Sequence, residues 1–288
     1  MHAFHNSLNK DPKMPKPIIR PPATVAVSSS LRDARKRRGI GLRRLAEKIG
    51  VHPATLSAWE LGIKVAPETA VAWILGYLRV EWAEYDRVMV LAPHAGAANL
   101  VDQSDPQLGH LLWTYEQLSS RVVEWAPSCV PELLQTRAYA ERVLDKAVMQ
   151  NDRRDMELLS RRVRQQALTD GNRRYVFLIA DQALHDIDDL HNEQIEHLRA
   201  TAQQKHVTVR IVPSTETALK SIGAFTLFED RSDPIAVVLR HHHCNTYLTD
   251  RKMLSRYHDT SRALLRRAFD EPASTCALTA PAMIRAAR

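Results

Sequence analysis

The sequence has few of the residues that build disulfide frameworks, phosphate-binding loops or membrane spans. It contains three cysteines, Cys129, Cys244 and Cys276. Their wide spacing and odd number fit neither a disulfide framework nor a structural zinc site. Glycine occurs nine times, and no glycine-rich phosphate loop is present. Because no apolar run approaches the ~20 residues that a membrane helix needs, we expect a reduced, cytoplasmic protein without a membrane segment.

The sequence also lacks the short motifs of common hydrolases and metalloenzymes. Neither G-x-S-x-G nor H-E-x-x-H occurs. The run HHHC at 241–244 has metal-binding residue types. On a strand, however, neighbouring side chains point to opposite faces, so four convergent ligands are not available there. We therefore expect no enzyme, no catalytic residue, no metal site and no cofactor.

Positive charge is concentrated in the first 64 residues. This segment has 13 lysines and arginines against 4 aspartates and glutamates, a net charge of +9. Residues 65–288 have 27 against 29, a net charge of −2. A basic module on a near-neutral body is typical of a local nucleic-acid contact. A solvated basic face would give the same tally, so the residue pattern has to decide between the two.

The pattern over residues 30–92 predicts a helical domain throughout. Gly50 supplies the left-handed residue of a tight turn between two short helices. Leu56 and Trp59 of the helix after that turn are expected to face inward, as are Ala70, Trp73, Ile74 and Tyr77 of the following helix. The predicted helices run from Ser30 to Arg38, Leu42 to Ile49, Pro53 to Leu61, Pro67 to about Tyr77 and Glu81 to Leu91.

The segment from Leu31 to Pro67 resembles the lambda-repressor-like, Cro/C1-type (XRE) helix-turn-helix family. The resemblance is carried by Gly39, Leu45-Ala46, Gly50-Val51, Thr55, Leu56-Ser57, Trp59-Glu60, Gly62 and Pro67. In such domains the third helix enters the major groove of duplex DNA with its first residues at the base edges. The resemblance therefore implies DNA contacts by His52, Pro53, Ala54, Thr55, Ser57 and Ala58.

The DNA-reading segment departs from that family in two ways. Gly41 and Leu42 stand where the family usually has a hydroxyl residue and glutamine, so we expect Arg43 and Arg44 to supply phosphate contacts instead. The reading face also lacks arginine, glutamine and asparagine, which predicts modest direct readout and a reliance on dimer spacing and DNA shape. Glu60 is expected to be a structural partner of an arginine or a backbone group. The other candidate phosphate contacts are Arg32, Arg35, Lys36, Arg37, Arg38 and Lys64.

The chain is predicted to have two folded domains. Residues 1–29 are expected to be a disordered basic tail, 30–92 the helix-turn-helix domain, 93–108 a linker, 109–278 an α+β regulatory domain and 279–288 a tail. The apolar spacing from Leu111 to Trp125 predicts a helix. Short strands are predicted at 175–180, 207–212, 224–228, 235–240 and 245–249. The fold class is a mainly α, five-helix lambda-repressor-like domain plus an α+β domain with about five short strands.

Several segments of the second domain resemble the C-terminal domain of actinobacterial WhiJ-like regulators, a domain of unknown function. They are PELLQTRAYAERVL (131–144), RRVRQQAL (161–168), FLIADQAL (177–184) and GAFTLFED (223–230). The resemblance covers about residues 110–278. It implies a transcription regulator linked to development or secondary metabolism, whose C-terminal domain senses a ligand or a small protein encoded nearby.

The candidate ligand-binding residues of this domain are Gln135, Arg161, Arg164 and Asp181. The arginines suit an anionic ligand, and a charged helix face is the alternative. Glu132 stands where the family usually has glycine, and Arg240 and Asp181 where it often has glutamate.

We expect a homodimer that binds double-stranded DNA. The alternative function is a protein-partner module of a toxin–antitoxin-like pair, with the helix-turn-helix serving autoregulation.

Overall fold

The computed structural model of the chain describes residues 17–102, 109–146, 151–184, 191–213, 221–241 and 244–279. Within these ranges the chain forms eleven α-helices and a seven-stranded sheet. The first five helices are α1 Pro22–Arg37, α2 Leu42–Lys48, α3 Pro53–Glu60, α4 Glu68–Tyr77 and α5 Trp82–Leu91. The others are α6 Gly109–Leu118, α7 Arg137–Lys146, α8 Asn151–Thr169, α9 His191–Ala202, α10 Arg251–Arg267 and α11 Glu271–Thr279.

The sheet is mixed and has the strand order β1-β7-β6-β5-β2-β3-β4. Strands β2, β3 and β4 run parallel, and the other neighbours pair antiparallel. The five predicted strands are present as β3 to β7, so the predicted fold class is confirmed. The strands are β1 Asn99–Asp102, β2 Arg121–Ala126, β3 Arg174–Ala180, β4 Val207–Val212, β5 Phe225–Asp230, β6 Asp233–Arg240 and β7 Asn245–Leu248.

Both faces of the sheet carry a hydrophobic core. Alternate residues of β3 divide between the two, with Phe177 in one core and Leu178 in the other. The first core includes Tyr115 of α6, and the second includes Leu264 of α10. A strand buried on both sides reads as a continuous apolar run rather than an alternating one, which explains the sequence YVFLIA at 175–180.

Helix α1 belongs to the cores of both domains. Val25 and Ala26 pack in the core that includes Tyr115, whereas Val27 and Leu31 pack among the helices of the N-terminal domain. The prediction of a disordered tail through residue 29 is therefore wrong from Pro22 onward. Proline suits the first position of a helix, and residues 22–28 are all buried. Residues 1–16 of the predicted tail lie outside the described residues.

The predicted linker at 93–108 is also partly structured. A short 3-10 turn, Ala92–His94, follows α5, and β1 then pairs antiparallel with β7, with Leu100 opposite Tyr247. The pairing supplies hydrogen-bond partners for the backbone of β1. The small and polar residues of this segment do not by themselves predict a strand. Residues 103–108 lie outside the described residues, as do 280–288 of the predicted C-terminal tail.

Two smaller predictions about burial and secondary structure are wrong. The helical spacing from Leu111 to Trp125 breaks after Leu118, and Trp125 lies in β2, between two hydrogen-bonded strands. Strand pairing on both sides outweighs the local periodicity. Ile74 is buried as predicted, but Trp73 and Tyr77 are exposed, because α4 buries the face that contains Val71, Ile74 and Leu75. Among the described helices, none has the length and hydropathy needed to cross a membrane.

Candidate nucleic-acid interface

A compact core holds α2 and α3 in the helix-turn-helix arrangement. Leu45 of α2 and Leu56 of α3 are fully buried, and Trp59 is 8% exposed. The turn between the helices places Gly50 at a φ of 70°, in the left-handed region that glycine adopts without steric cost. The amide of Val51 then donates to the carbonyl of Ala46 at 2.9 Å, which closes the end of α2. The predicted inward positions of this segment are therefore confirmed.

The nine predicted DNA contacts all lie on α2, on α3, at the N-cap of α3 or in the loop after α3. Arg43 and Arg44 occupy the first turn of α2 and are exposed, as is Lys64 in the loop. His52 and Ala54 are also exposed. The remaining four, at the first helical position and along the outer side of α3, are partly exposed: Pro53, Thr55, Ser57 and Ala58. These side chains are accessible for a contact with DNA.

His52 caps the N-terminus of α3 with its side chain. Its Nδ1 accepts a hydrogen bond from the amide of Ala54 at 3.2 Å. A ring nitrogen that accepts a hydrogen bond carries no proton, so the neutral ring holds its proton on Nε2. The exposed imidazole therefore offers a donor at the start of α3, where a base edge or a phosphate oxygen can accept it.

Three of the predicted phosphate contacts have structural partners instead. Arg35 donates to both carboxylate oxygens of Glu60, at 2.6 and 2.7 Å; Glu60 is buried, and the Arg35 side chain is 13% exposed. This contact, led by the hydrogen bond to Glu60, raises the pKa of Arg35. Glu60 therefore has the structural role predicted for it. Arg37 binds Glu84 at 2.6 Å, and Arg38 closes the end of α4 by donating to the carbonyls of Leu78 and Arg79.

Whether one of these arginines can contact a phosphate depends on how its guanidinium is held within the protein. Arg35 also donates to the carbonyl of Ile40 at 2.9 Å, so its guanidinium is held across the end of α1. Side chains fixed in this way hold α1 against α3 and α4. Arg32, Lys36 and Lys64 are exposed and remain the better candidates for phosphate contact.

The candidate ligand-binding residues of the C-terminal domain form part of a buried ionic network. Arg161 donates to Oε1 of Gln135 at 2.6 Å and pairs with Glu132 at 3.0 Å. Arg164 donates to Glu116 at 2.8 Å and pairs with Glu132 at 3.2 Å. The structure therefore brings three of the four candidates together. Asp181 lies on another element, a buried 3-10 turn that follows β3.

The two buried arginines differ in their electrostatic balance. Burial lowers the pKa of Arg161. Burial also acts to lower the pKa of Arg164, but the charge of Glu116 and the hydrogen bond to it outweigh that effect and leave the pKa raised. One Glu116 oxygen, Oε2, and the Nε of Arg161 are buried without a hydrogen-bond partner. The network therefore neutralises its own charges while leaving single polar atoms unsatisfied.

Sequence reasoning missed the carboxylates that complete this network. Glu116 was not singled out, and Glu132 and Arg240 were noted only as departures from a family pattern. In the structure these two bind each other directly, and Arg240 also lies 3.6 Å from Glu157. The signal in the sequence was the opposite charge of Glu132 and Arg240, two positions that both depart from the family pattern.

The part of the chain that the structure describes contains no group of three histidine, cysteine, aspartate or glutamate side chains placed to hold a metal ion. His242 and His243 of the HHHC run lie outside the described residues. Strand β6 ends at Arg240, before the first histidine of that run.

Comparisons with known proteins match two separate parts of the chain. A model described as "Helix-turn-helix" matches residues 31–76, and one described as "Domain of unknown function (DUF5753)" matches residues 110–280. No curated protein matches. Among solved structures, the chain is similar to the clp gene regulator ClgR from C. glutamicum, at 30% identity and a TM-score of 0.22. That match covers 30% of this chain and 100% of the other.

The helix-turn-helix match includes α2, α3 and the second half of α1, so the exposed face of α3 belongs to a DNA-binding module of XRE type. The second match spans more than half of the chain, including every strand from β2 to β7. The chain is therefore a DNA-binding transcriptional regulator that belongs to the DUF5753 family and carries an N-terminal XRE-type helix-turn-helix.

Proposed function

We propose that the chain binds duplex DNA as a homodimer through α3, and that its C-terminal domain controls this binding in response to a ligand. Residues 30–92 are the DNA-binding domain in this proposal, and residues 109–278 the regulatory domain. The observation that carries the proposal is the dual burial of α1, whose first half packs in the C-terminal core and whose second half packs beside α2 and α3. A displacement of that helix moves both domains.

The junction between the domains supports this coupling. The hydroxyl of Tyr115, on α6, donates to the carbonyl of Arg20 at 2.8 Å. Thr24 of α1 donates to the carbonyl of Ala95, in the segment that leads to β1. Gly62, which follows α3, lies against the same stretch of α1, since an added Cβ there would come 3.2 Å from Arg20 and 3.4 Å from Ser28. The end of the reading helix is thus packed against the helix that the regulatory domain holds.

Phosphate contacts are proposed for Arg43 and Arg44, with Arg32, Lys36 and Lys64 around them. Base or groove contacts are proposed for His52, Pro53, Ala54, Thr55, Ser57 and Ala58. The resemblance to WhiJ-like regulators suggests actinobacterial development or secondary metabolism as the regulated process.

The direct test is the salt dependence of DNA binding. Fluorescence anisotropy of a labelled duplex from the region upstream of the gene gives affinities between 50 and 200 mM salt. Each phosphate contact contributes about 0.9 to the slope of log K against log[salt]. We expect Arg43→Ala with Arg44→Ala to weaken binding to every duplex and to make that slope shallower by about 2.

The matched control removes two exposed arginines of α10, Arg262→Ala with Arg266→Ala. It changes the net charge equally and should leave the slope within experimental error. Absence of binding by the unmodified chain at low salt would contradict the proposal.

A second candidate, control by a small protein encoded nearby, is favoured by α8. This helix buries Arg161 and Arg164 and exposes Met156, Leu159 and Val163, at 49%, 63% and 49%, on one apolar stripe. Co-expression with the neighbouring gene's product tests it. We expect Leu159→Glu to abolish co-purification and Val90→Glu, an exposed apolar position on α5, to preserve it. Equal recovery with both variants would remove this candidate.

A further inference from the structure

A cleft of about 430 Å³ opens beside the sheet, between α10 and the residues that precede β5. Its volume lies in the range of small-molecule sites, ~300–1,000 Å³. Its walls combine apolar and polar side chains from three segments. They include Ile222 and Ala224 before β5, Leu239 near the end of β6, and Met253, Arg256 and Tyr257 on α10.

The position of the cleft is set by the sheet topology. Strand β2 runs parallel to β3 and antiparallel to β5, and Trp125 near its end lies opposite Phe225 at the start of β5. The cleft therefore lies at the edge of the sheet where the parallel strand β2 ends and the antiparallel strand β5 begins. Ligands of open α/β sheets commonly bind outside the carboxyl ends of the parallel strands.

The cleft has a firm apolar floor. Ile222, Leu239, Met253 and Tyr257 all pack on the core that includes Trp125. The indole N–H of Trp125 donates to the carbonyl of Ile222 at 3.0 Å, which holds the segment before β5 in place. The ring of Tyr257 packs edge-on against Phe225, with ring centroids 5.0 Å apart. These contacts make a preformed apolar surface.

The rim of the cleft adds positive charge. Arg256 is exposed and forms no ion pair within the described part of the chain. Arg240 also lines the cleft, but its guanidinium binds Glu132 on α8's side of the sheet. Arg256 is therefore the guanidinium available to a ligand. A planar guanidinium beside an aromatic and aliphatic floor suits an organic anion with an apolar body.

We propose that this cleft binds an organic anion, a carboxylate, sulfonate or phosphate on an apolar body, with Arg256 holding the charge and Tyr257, Met253 and Leu239 holding the body. This proposal names the class of ligand to which the C-terminal domain responds. It rests on the proposed function only in that ligand binding is then expected to change DNA binding.

Contiguous contacts connect this cleft to the DNA-binding module. Arg240 binds Glu132, Glu132 lies 3.2 Å from Arg164, and Arg164 donates to Glu116 at 2.8 Å. Glu116 neighbours Tyr115, whose hydroxyl binds the segment just before α1. Packed and hydrogen-bonded contacts of this kind carry coupling between distant sites when they have two discrete arrangements.

The test uses two dyes that share one aromatic body. The first, 8-anilinonaphthalene-1-sulfonate, carries a negative charge, and N-phenyl-1-naphthylamine carries none. Fluorescence titrations of the full chain in the absence of DNA give the affinity for each. We expect Arg256→Glu to weaken binding of the sulfonate at least tenfold and to change binding of the neutral dye less than twofold.

The control variant is Arg262→Glu, which makes the same charge change elsewhere on α10 and should leave both affinities within twofold. Ala224→Trp, which fills the cleft, should weaken both dyes at least tenfold. Sulfonate binding that Arg256→Glu leaves unchanged would overturn the proposal, as would binding of both dyes that Ala224→Trp leaves unchanged. Failure of the unmodified chain to bind DNA would contradict the proposed function instead, because the dye titrations contain no DNA.

Discussion

The pair Arg35–Glu60 links α1 to the end of the reading helix, and its burial sets its energetic weight. Glu60 is 5% exposed and binds Arg35 through both carboxylate oxygens. Glu60→Gln removes the counter-charge of an arginine whose side chain is 13% exposed, and removing one partner of a buried ion pair costs about 3–5 kcal/mol. We expect the free energy of unfolding to fall by about 3 kcal/mol, as measured by urea denaturation followed by circular dichroism.

A surface pair of the same chemistry is the control for that measurement. Arg37 and Glu84 are also 2.6 Å apart, but the Arg37 side chain is 56% exposed. Glu84→Gln should therefore cost less than about 1 kcal/mol. Equal losses in the two variants would show that the burial of Glu60 does not determine its contribution.

A second prediction concerns the buried ionic network of the C-terminal domain. It tests whether Arg164 has a structural role or a ligand-binding role. Removing only Glu116 takes from the buried Arg164 its closer carboxylate and leaves it with Glu132 at 3.2 Å, whereas removing both Glu116 and Arg164 removes both charges of the pair. We expect Glu116→Leu to destabilise the chain by about 3–5 kcal/mol and Glu116→Leu with Arg164→Met to cost less than the sum of the single changes by about 1–3 kcal/mol. Strict additivity in this double-mutant cycle would contradict a structural pairing.

Single residues also show which contacts can be predicted from the sequence and which cannot. The contacts of Leu56, Trp59 and Gly50 follow from short-range spacing, so the sequence predicts them. Whether an exposed-looking arginine meets phosphate or a carboxylate depends on partners far along the chain. Arg164 and Glu116 are separated by 48 positions, and no local pattern announces their contact.

At the scale of elements, α1 is the mechanical link between the two domains. Ser29→Pro places a proline in its middle, which removes a helical hydrogen bond and costs about 3 kcal/mol or more. The two cores should then unfold in separate transitions, because the helix that joins them is broken. Differential scanning calorimetry measures this. Ser29→Ala keeps the helix and should retain the transition of the unmodified chain, and one unshifted transition in Ser29→Pro would contradict the linking role.

The elements that sequence analysis missed share a physical cause. The first half of α1 begins at Pro22, directly after Pro21, and contains small residues whose burial needs both domains. Strand β1 is a four-residue edge strand stabilised by its pairing with β7. Strand β2 has a periodicity that also suits a helix, and two strands distant in sequence decide its conformation. Local composition predicts elements that are stable on local grounds, and these three depend on tertiary partners.

At the scale of the whole molecule, charge and readout are unevenly divided. The first 64 residues carry a net charge of +9 and the rest of the chain −2, so attraction to DNA is local to one end. Such attraction provides affinity and a fast encounter but reads no sequence. Sequence discrimination has to come from α3, whose positions 53–60, PATLSAWE, contain no arginine, glutamine or asparagine.

A single copy of this reading helix is therefore a weak source of specificity. Binding to a specific site is typically stronger than binding to non-specific DNA by about 4–10 kcal/mol. Each bidentate base contact contributes about 1–3 kcal/mol of that discrimination, and α3 has no arginine, glutamine or asparagine to make one. Two copies on half-sites one helical turn apart combine their contacts and add a requirement for spacing. On a site defined by footprinting, we expect five base pairs inserted between the half-sites to weaken binding at least tenfold, because the second half-site then faces the opposite side of the duplex. Ten inserted base pairs restore that face and should recover part of the loss. Equal affinities for the two insertions, measured by anisotropy at one salt concentration, would contradict a dimer that reads two half-sites.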